Sequence, residues 1–135
     1  LGRALSALDR GTLPRGALAI TFDDGYADNA EIALPLLTRH GLRATFFVAT
    51  GFLDGGRMFN DSVIEVLRHA RGDTIDLEAF DLGRLSIASA AERRAAIDLL
   101  LPKVKYLDLD ARESAISALR RAAGNPELPR DLMMR

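Results

Sequence analysis

The chain of 135 residues contains no cysteine. That excludes disulfides and thiolate metal sites, and it leaves the redox compartment open. No apolar run approaches the ~18 residues needed to span a bilayer. The opening stretch, "LGRALSALDRGTLPRG", lacks the long apolar centre of a signal peptide. There is no basic excess either: 18 Lys and Arg stand against 19 Asp and Glu, for a net charge of −1. That balance argues against a dedicated nucleic-acid binder. Internal repeats and low-complexity tracts are absent. What remains is ordinary for a globular protein, with 48% apolar and 27% charged residues. The length suits one compact domain that buries roughly two-thirds of its unfolded surface. The start at Leu1 and the stop after the loop-like "LPRDLMMR" read as part of a longer protein.

Gly16 and Gly25 bound "ALAITF" (17–22), a short apolar run with β-branched members that predicts a strand buried on both faces of a parallel sheet. Asp28 and Asn29 are placed as N-caps for "AEIALPLLTRH", whose Ile32, Ala33, Leu36 and Leu37 follow helical spacing. Pro35 should kink that helix or mark a late regular start, and Gly41 should end it. "RATFFVAT" (43–50) predicts a second buried strand, with Phe46 and Phe47 in the core. Strand, helix and strand over residues 17–50 make a βαβ unit and place the chain in the α/β class.

The character then changes. A glycine-rich loop, "TGFLDGGRMFND", leads into "DSVIEVLRHARG", a helix with Ser62 and Glu65 at capping-box spacing and Gly72 as its stop. Alternation at Ile75, Leu77, Phe80 and Leu82 predicts a small hairpin or extended arm. Ser89 and Glu92 form a second capping box, for a helix whose last turns Pro102 should interrupt. A third helix ends at Gly124. Residues 61–124 thus read as a mostly helical insertion. The basic runs at 92–96 and 120–123 are expected to be solvated helix faces, and His40 and His69 to sit at helix ends, where imidazole complements the carbonyl dipole.

"AITFDDGYADN" (19–29) is the exceptional stretch. Asp23 and Asp24 stand together at the end of an apolar strand, where paired carboxylates carry a large desolvation cost unless a cation compensates. Ligands bind at the carboxyl ends of strands in α/β sheets. Inside a strand, neighbours point to opposite faces, but at its end that restriction loosens. One carboxylate can then coordinate a cation while the other takes a proton from water, and a divalent charge favours the ionised form of both.

"LAITFDDGYADN" followed by "RATFFVATGFL" resembles the polysaccharide deacetylase family, also described as the nodulation-deacetylase homology domain. The resemblance spans residues 17–53. It implies the N-terminal part of a distorted (β/α) barrel of about seven strands when complete, here with a helical insertion. It further implies metal-dependent hydrolysis that removes acetyl groups from N-acetylated, sometimes O-acetylated, sugars of a polysaccharide or oligosaccharide. By position, Asp23 corresponds to the general base and Asp24 to a metal ligand, with Tyr26 at the mouth of the cleft as a substrate-binding residue. The implied cofactor is a divalent metal, zinc first, with cobalt, nickel or manganese as alternatives. The substrate is an acetylated glycan, and a cell-envelope or secreted role follows from the resemblance alone.

The family completes its site with a His-x-x-x-His motif, and it also carries an Arg-Pro-Tyr-type motif and a Leu-x-His motif. None of these occurs here: His40 and His69 are the only histidines. A catalytic zinc usually needs three protein ligands, so these residues alone are expected to be inactive, with the remainder of the domain expected beyond Arg135. Two other readings compete. One is a catalytically inactive glycan-binding or assembly module of the same fold. The other is a Mg-dependent phosphotransfer domain, for which Asp54 would be the wrong distance from its strand.

Overall fold

Short strands and longer helices alternate along the chain in the computed structural model, which describes residues 1–52, 56–129 and 132–133. They group into two compact units, Leu1–Gly56 with Asp131–Arg135, and Arg57–Arg130. Among the described residues, no helix is long and apolar enough to cross a membrane. Residues 53–55, and with them Asp54 and part of the glycine-rich loop, lie outside the described residues, as does Met134.

The first unit opens with α1 (Gly2–Asp9), which buries no side chain. β1 (Ile20–Phe22) pairs in parallel with β2 (Ala44–Phe46), in the register Ile20 with Ala44, Thr21 with Thr45 and Phe22 with Phe46. That register stacks the rings of Phe22 and Phe46, centroids 5.0 Å apart. Between the strands, Asn29–Ala33 winds as a wide π-helical turn and tightens into α2 (Leu34–Arg39). Pro35 lies in the first turn of α2. Lacking an N–H, and with its ring against the carbonyl four residues back, it marks the late regular start that its position predicts. Gly41, at φ +64°, ends α2. Its N–H reaches the Thr38 carbonyl while Leu42 N–H reaches that of Leu37, the paired bonds of a Schellman stop.

The strands are not buried on both faces. Thr21 is exposed between two half-buried neighbours, Leu18 is 84% exposed, and Phe47, expected in the core, is 49% exposed. Among the described residues this sheet has two strands, and two strands cannot bury both faces of either.

The second unit holds a core of its own. α3 (Phe59–His69), α4 (Ala90–Lys105) and α5 (Leu109–Ala122) surround Val63, Val66, Leu67, Leu100, Val104 and Leu119. An antiparallel hairpin, β3 (Thr74–Asp76) with β4 (Arg84–Ser86), adds Ile75, Leu77 and Ile87 to that core. The hairpin expected from the alternation is therefore present. Positive φ at Asp81 and Gly83 turns the chain within it.

Three local expectations are corrected here. Ser62 and Glu65 do not form a capping box, because α3 begins one turn earlier, after Met58. Phe59 packs against the core and under the Arg112 guanidinium, 4.8 Å from its ring, which draws those residues into the helix. Glu65 is instead buried, with Arg68 Nη1 2.7 Å from its Oε1 and His69 Nδ1 3.4 Å from its Oε2. Pro102 does not interrupt α4, whose buried Leu100 and Val104 flank it; packing on both sides outweighs the ~3 kcal/mol that an interior proline costs. Nor is Arg93, in the basic run at 92–96, solvated. It reaches across to donate to the carbonyls of Leu67, Arg68, Ala70 and Gly72, closing the end of α3. The Ser89–Glu92 capping box, by contrast, forms in full.

Candidate active site

β1 delivers the chain to Asp23 and Asp24 and stops. Asp24 has φ +69° and Gly25 φ +82°, so two consecutive residues adopt the left-handed conformation. Glycine takes it freely. Asp is among the few side chains that tolerate it, at a cost of about 1–2 kcal/mol. The consequence is chemical: positive φ at Asp24 breaks the two-residue alternation that would send adjacent side chains to opposite faces. Asp23 is exposed and Asp24 half-buried.

The turn is held from several directions. Gly25 N–H closes onto the Asp23 carbonyl at 2.9 Å. The chain after β2 runs alongside, with Phe47 N–H on the Phe22 carbonyl at 2.8 Å and Ala49 N–H on the Asp24 carbonyl at 3.0 Å. Downstream, Tyr26 is half-buried and bridges antiparallel to Met133, while Ala27 N–H donates to the Leu132 carbonyl at 2.9 Å. Asn29 closes the segment: its backbone N–H donates to the Tyr26 carbonyl and its side-chain Nδ2 to the Asp23 carbonyl at 3.3 Å.

The caps assigned to this loop are therefore corrected. Asp28 does stand at the N-cap position, but in helical conformation and with no side-chain capping bond, and Asn29 lies inside the π turn, only 8% exposed. The wide turn carries its amide back toward β1 instead of onto the following backbone. Both residues line a groove of about 340 Å³ with Phe22, Ile32, Leu36 and Leu37; the two aspartates lie outside it.

His40 is the C-cap residue of α2 and His69 the last residue of α3, with its Nδ1 2.9 Å from the Glu65 carbonyl oxygen. Both sit at helix ends, as expected. Among the described residues, no three His, Cys, Asp or Glu side chains gather in a way that could hold a metal ion.

Asp23 and Asp24 thus stand at the carboxyl end of a parallel strand, turned on a glycine, the end at which α/β sheets take their ligands. The chain belongs to the polysaccharide deacetylase family, whose sequence model matches residues 10–98, well over half of its length. The match covers β1, the turn, β2, α3, the hairpin and the first half of α4. Membership implies a carbohydrate esterase or hydrolase with a glycan substrate. Comparisons with curated proteins and with solved structures gave no match.

Proposed function

We propose that this chain supplies part of the active site of a metal-dependent hydrolase that removes acetyl groups from N-acetylated sugars of a polysaccharide or oligosaccharide. The carbon–nitrogen bond it cuts is not a peptide bond. In this reading β1 and β2 begin a distorted (β/α) barrel, and the mostly helical stretch 61–124 is an insertion into it.

The observation that carries the reading is the left-handed Asp24–Gly25 pair directly after β1, which ends the strand's alternation and leaves Asp23 exposed at its carboxyl end. Backbone strain clusters at functional sites, and at Asp24 it coincides with the carboxyl end of a parallel strand, where α/β sheets take their ligands. Asp23 acts as general base: it takes a proton from water as the water oxygen attacks the acetyl carbonyl carbon. With a proton returned to the departing nitrogen, the carbon–nitrogen bond breaks and gives acetate and a free amino sugar. Asp24 offers one carboxylate to a divalent cation, zinc first, with cobalt, nickel or manganese as alternatives. Catalytic zinc takes three protein ligands, and the described residues do not gather three. They do not fit a complete metal site. Asp24 is thus one donor of an unfinished set, and the proton transfer by Asp23 is the step these residues define. Tyr26, two residues past the pair, is in this reading a substrate-binding residue.

A second reading, an inactive glycan-binding or assembly module, is favoured by that same shortage of ligands among the described residues. Acetate release from N-acetylglucosamine oligomers by the full-length protein separates the two. Hydrolysis abolished by a chelator and restored by zinc or cobalt supports the enzyme. Oligomer binding without acetate release supports the module.

A further inference from the structure

We propose that Asn29 is a positioning residue for the aspartate pair, its side-chain amide fixing the turn on which both carboxylates stand. The inference rests on the deacetylase reading for its kinetic consequence, and on geometry alone for its mechanical one. A primary amide that is 8% exposed needs internal partners, because burying it unpaired is costly. Asn29 sends Nδ2 to the Asp23 carbonyl, six residues back, at 3.3 Å. That carbonyl also accepts Gly25 N–H at 2.9 Å, so one oxygen joins the strand end, the left-handed pair and the helix start. The next carbonyl, of Asp24, is held by Ala49 N–H at 3.0 Å. Both aspartate carbonyls are thus pinned, one by β2's extension and one by Asn29. Their side chains remain available for chemistry.

The wide turn over Asn29–Ala33 is what allows this reach. As a helix cap, Asn29 would spend its side chain on the backbone two or three residues ahead. Placed within the turn and buried, it points backward to the site.

The test compares Asn29→Ala and Asn29→Asp with the wild-type full-length protein. The second variant keeps the shape of the side chain and loses the donor. Amide hydrogen exchange at Gly25 and Ala49 should accelerate about tenfold in both variants, the order expected for one lost hydrogen bond, while exchange in α3 and α4 is unchanged. In acetate-release kinetics, kcat should fall about tenfold or more with KM unaltered. Unchanged exchange at Gly25 and Ala49, or a rise in KM with kcat intact, overturns the proposal. Asp23→Asn is measured alongside. Full activity in that variant removes the deacetylase reading and leaves the exchange result to decide the role of Asn29. Loss of activity in Asp23→Asn with both Asn29 variants fully active removes the positioning role alone.

Discussion

Asp24 combines two properties that pull against each other, a carboxylate and a left-handed backbone. Replacing it separates them. Asp24→Gly and Asp24→Ala both delete the carboxylate, but alanine at φ +69° is strained where glycine is not. Thermal or denaturant unfolding should find the alanine variant less stable than the glycine variant by about 1 kcal/mol, with both inactive. The motif residues could be read from sequence because Asp-Asp-Gly after an apolar run is a local pattern. The role of Asn29 could not: its side chain bonds backward through a wide turn, and a residue of this type after a loop reads first as a cap. Glu92 shows the same local legibility. Its carboxyl is held below the ordinary value of 4.5, chiefly by the Ser86 hydroxyl and then by the Ser89 side chain and backbone. A lowered folded-state pKa stabilises fully above about pH 4.5 and progressively less as pH falls through the lowered value. Glu92→Gln should therefore flatten the acid limb of the stability–pH curve while changing little of its shape at neutral pH.

At the scale of elements, signals confined to a few residues were readable and those set by packing were not. The Ser89–Glu92 box and the Gly41 stop both stand in the sequence. The start of α3 does not, because Phe59 is recruited by a distant core and a distant arginine. Arg93 is the clearest case: in sequence it is one of a charged run, and in space it closes a different helix. Arg93→Ala should cost about 2 kcal/mol in denaturant unfolding, as expected for hydrogen bonds from a charged donor to otherwise open carbonyls. Pro102 makes the opposite prediction. Since α4 continues through it, Pro102→Ala should raise stability by about 1–3 kcal/mol, restoring a donor and relieving a ring clash.

For the molecule as a whole, apolar burial is concentrated in Arg57–Arg130. The described residues of the other unit bury few side chains, chiefly Asn29, Leu37 and Met133, and expose Leu5, Leu8, Leu18, Ile32 and Phe47. A sequence pattern of continuous apolar strands states what a sheet is built to bury, and it does not state how many neighbours the described chain provides. That is why the strands were legible and their exposure was not. The family match covers the motif strands and much of the helical unit alike, which ties the site and the larger core to one sequence pattern. Few buried contacts mean low opening free energy, so in the 135-residue chain studied by itself amides in β1 and β2 should exchange at least about tenfold faster than those of the α3 and α4 core. The most direct measurement of the central claim is acetate release from N-acetylglucosamine oligomers with added zinc or cobalt, by the full-length protein and its Asp23→Asn variant. Removing a general base should lower kcat by about 10²- to 10⁴-fold; equal rates in the two proteins would contradict the role assigned to Asp23.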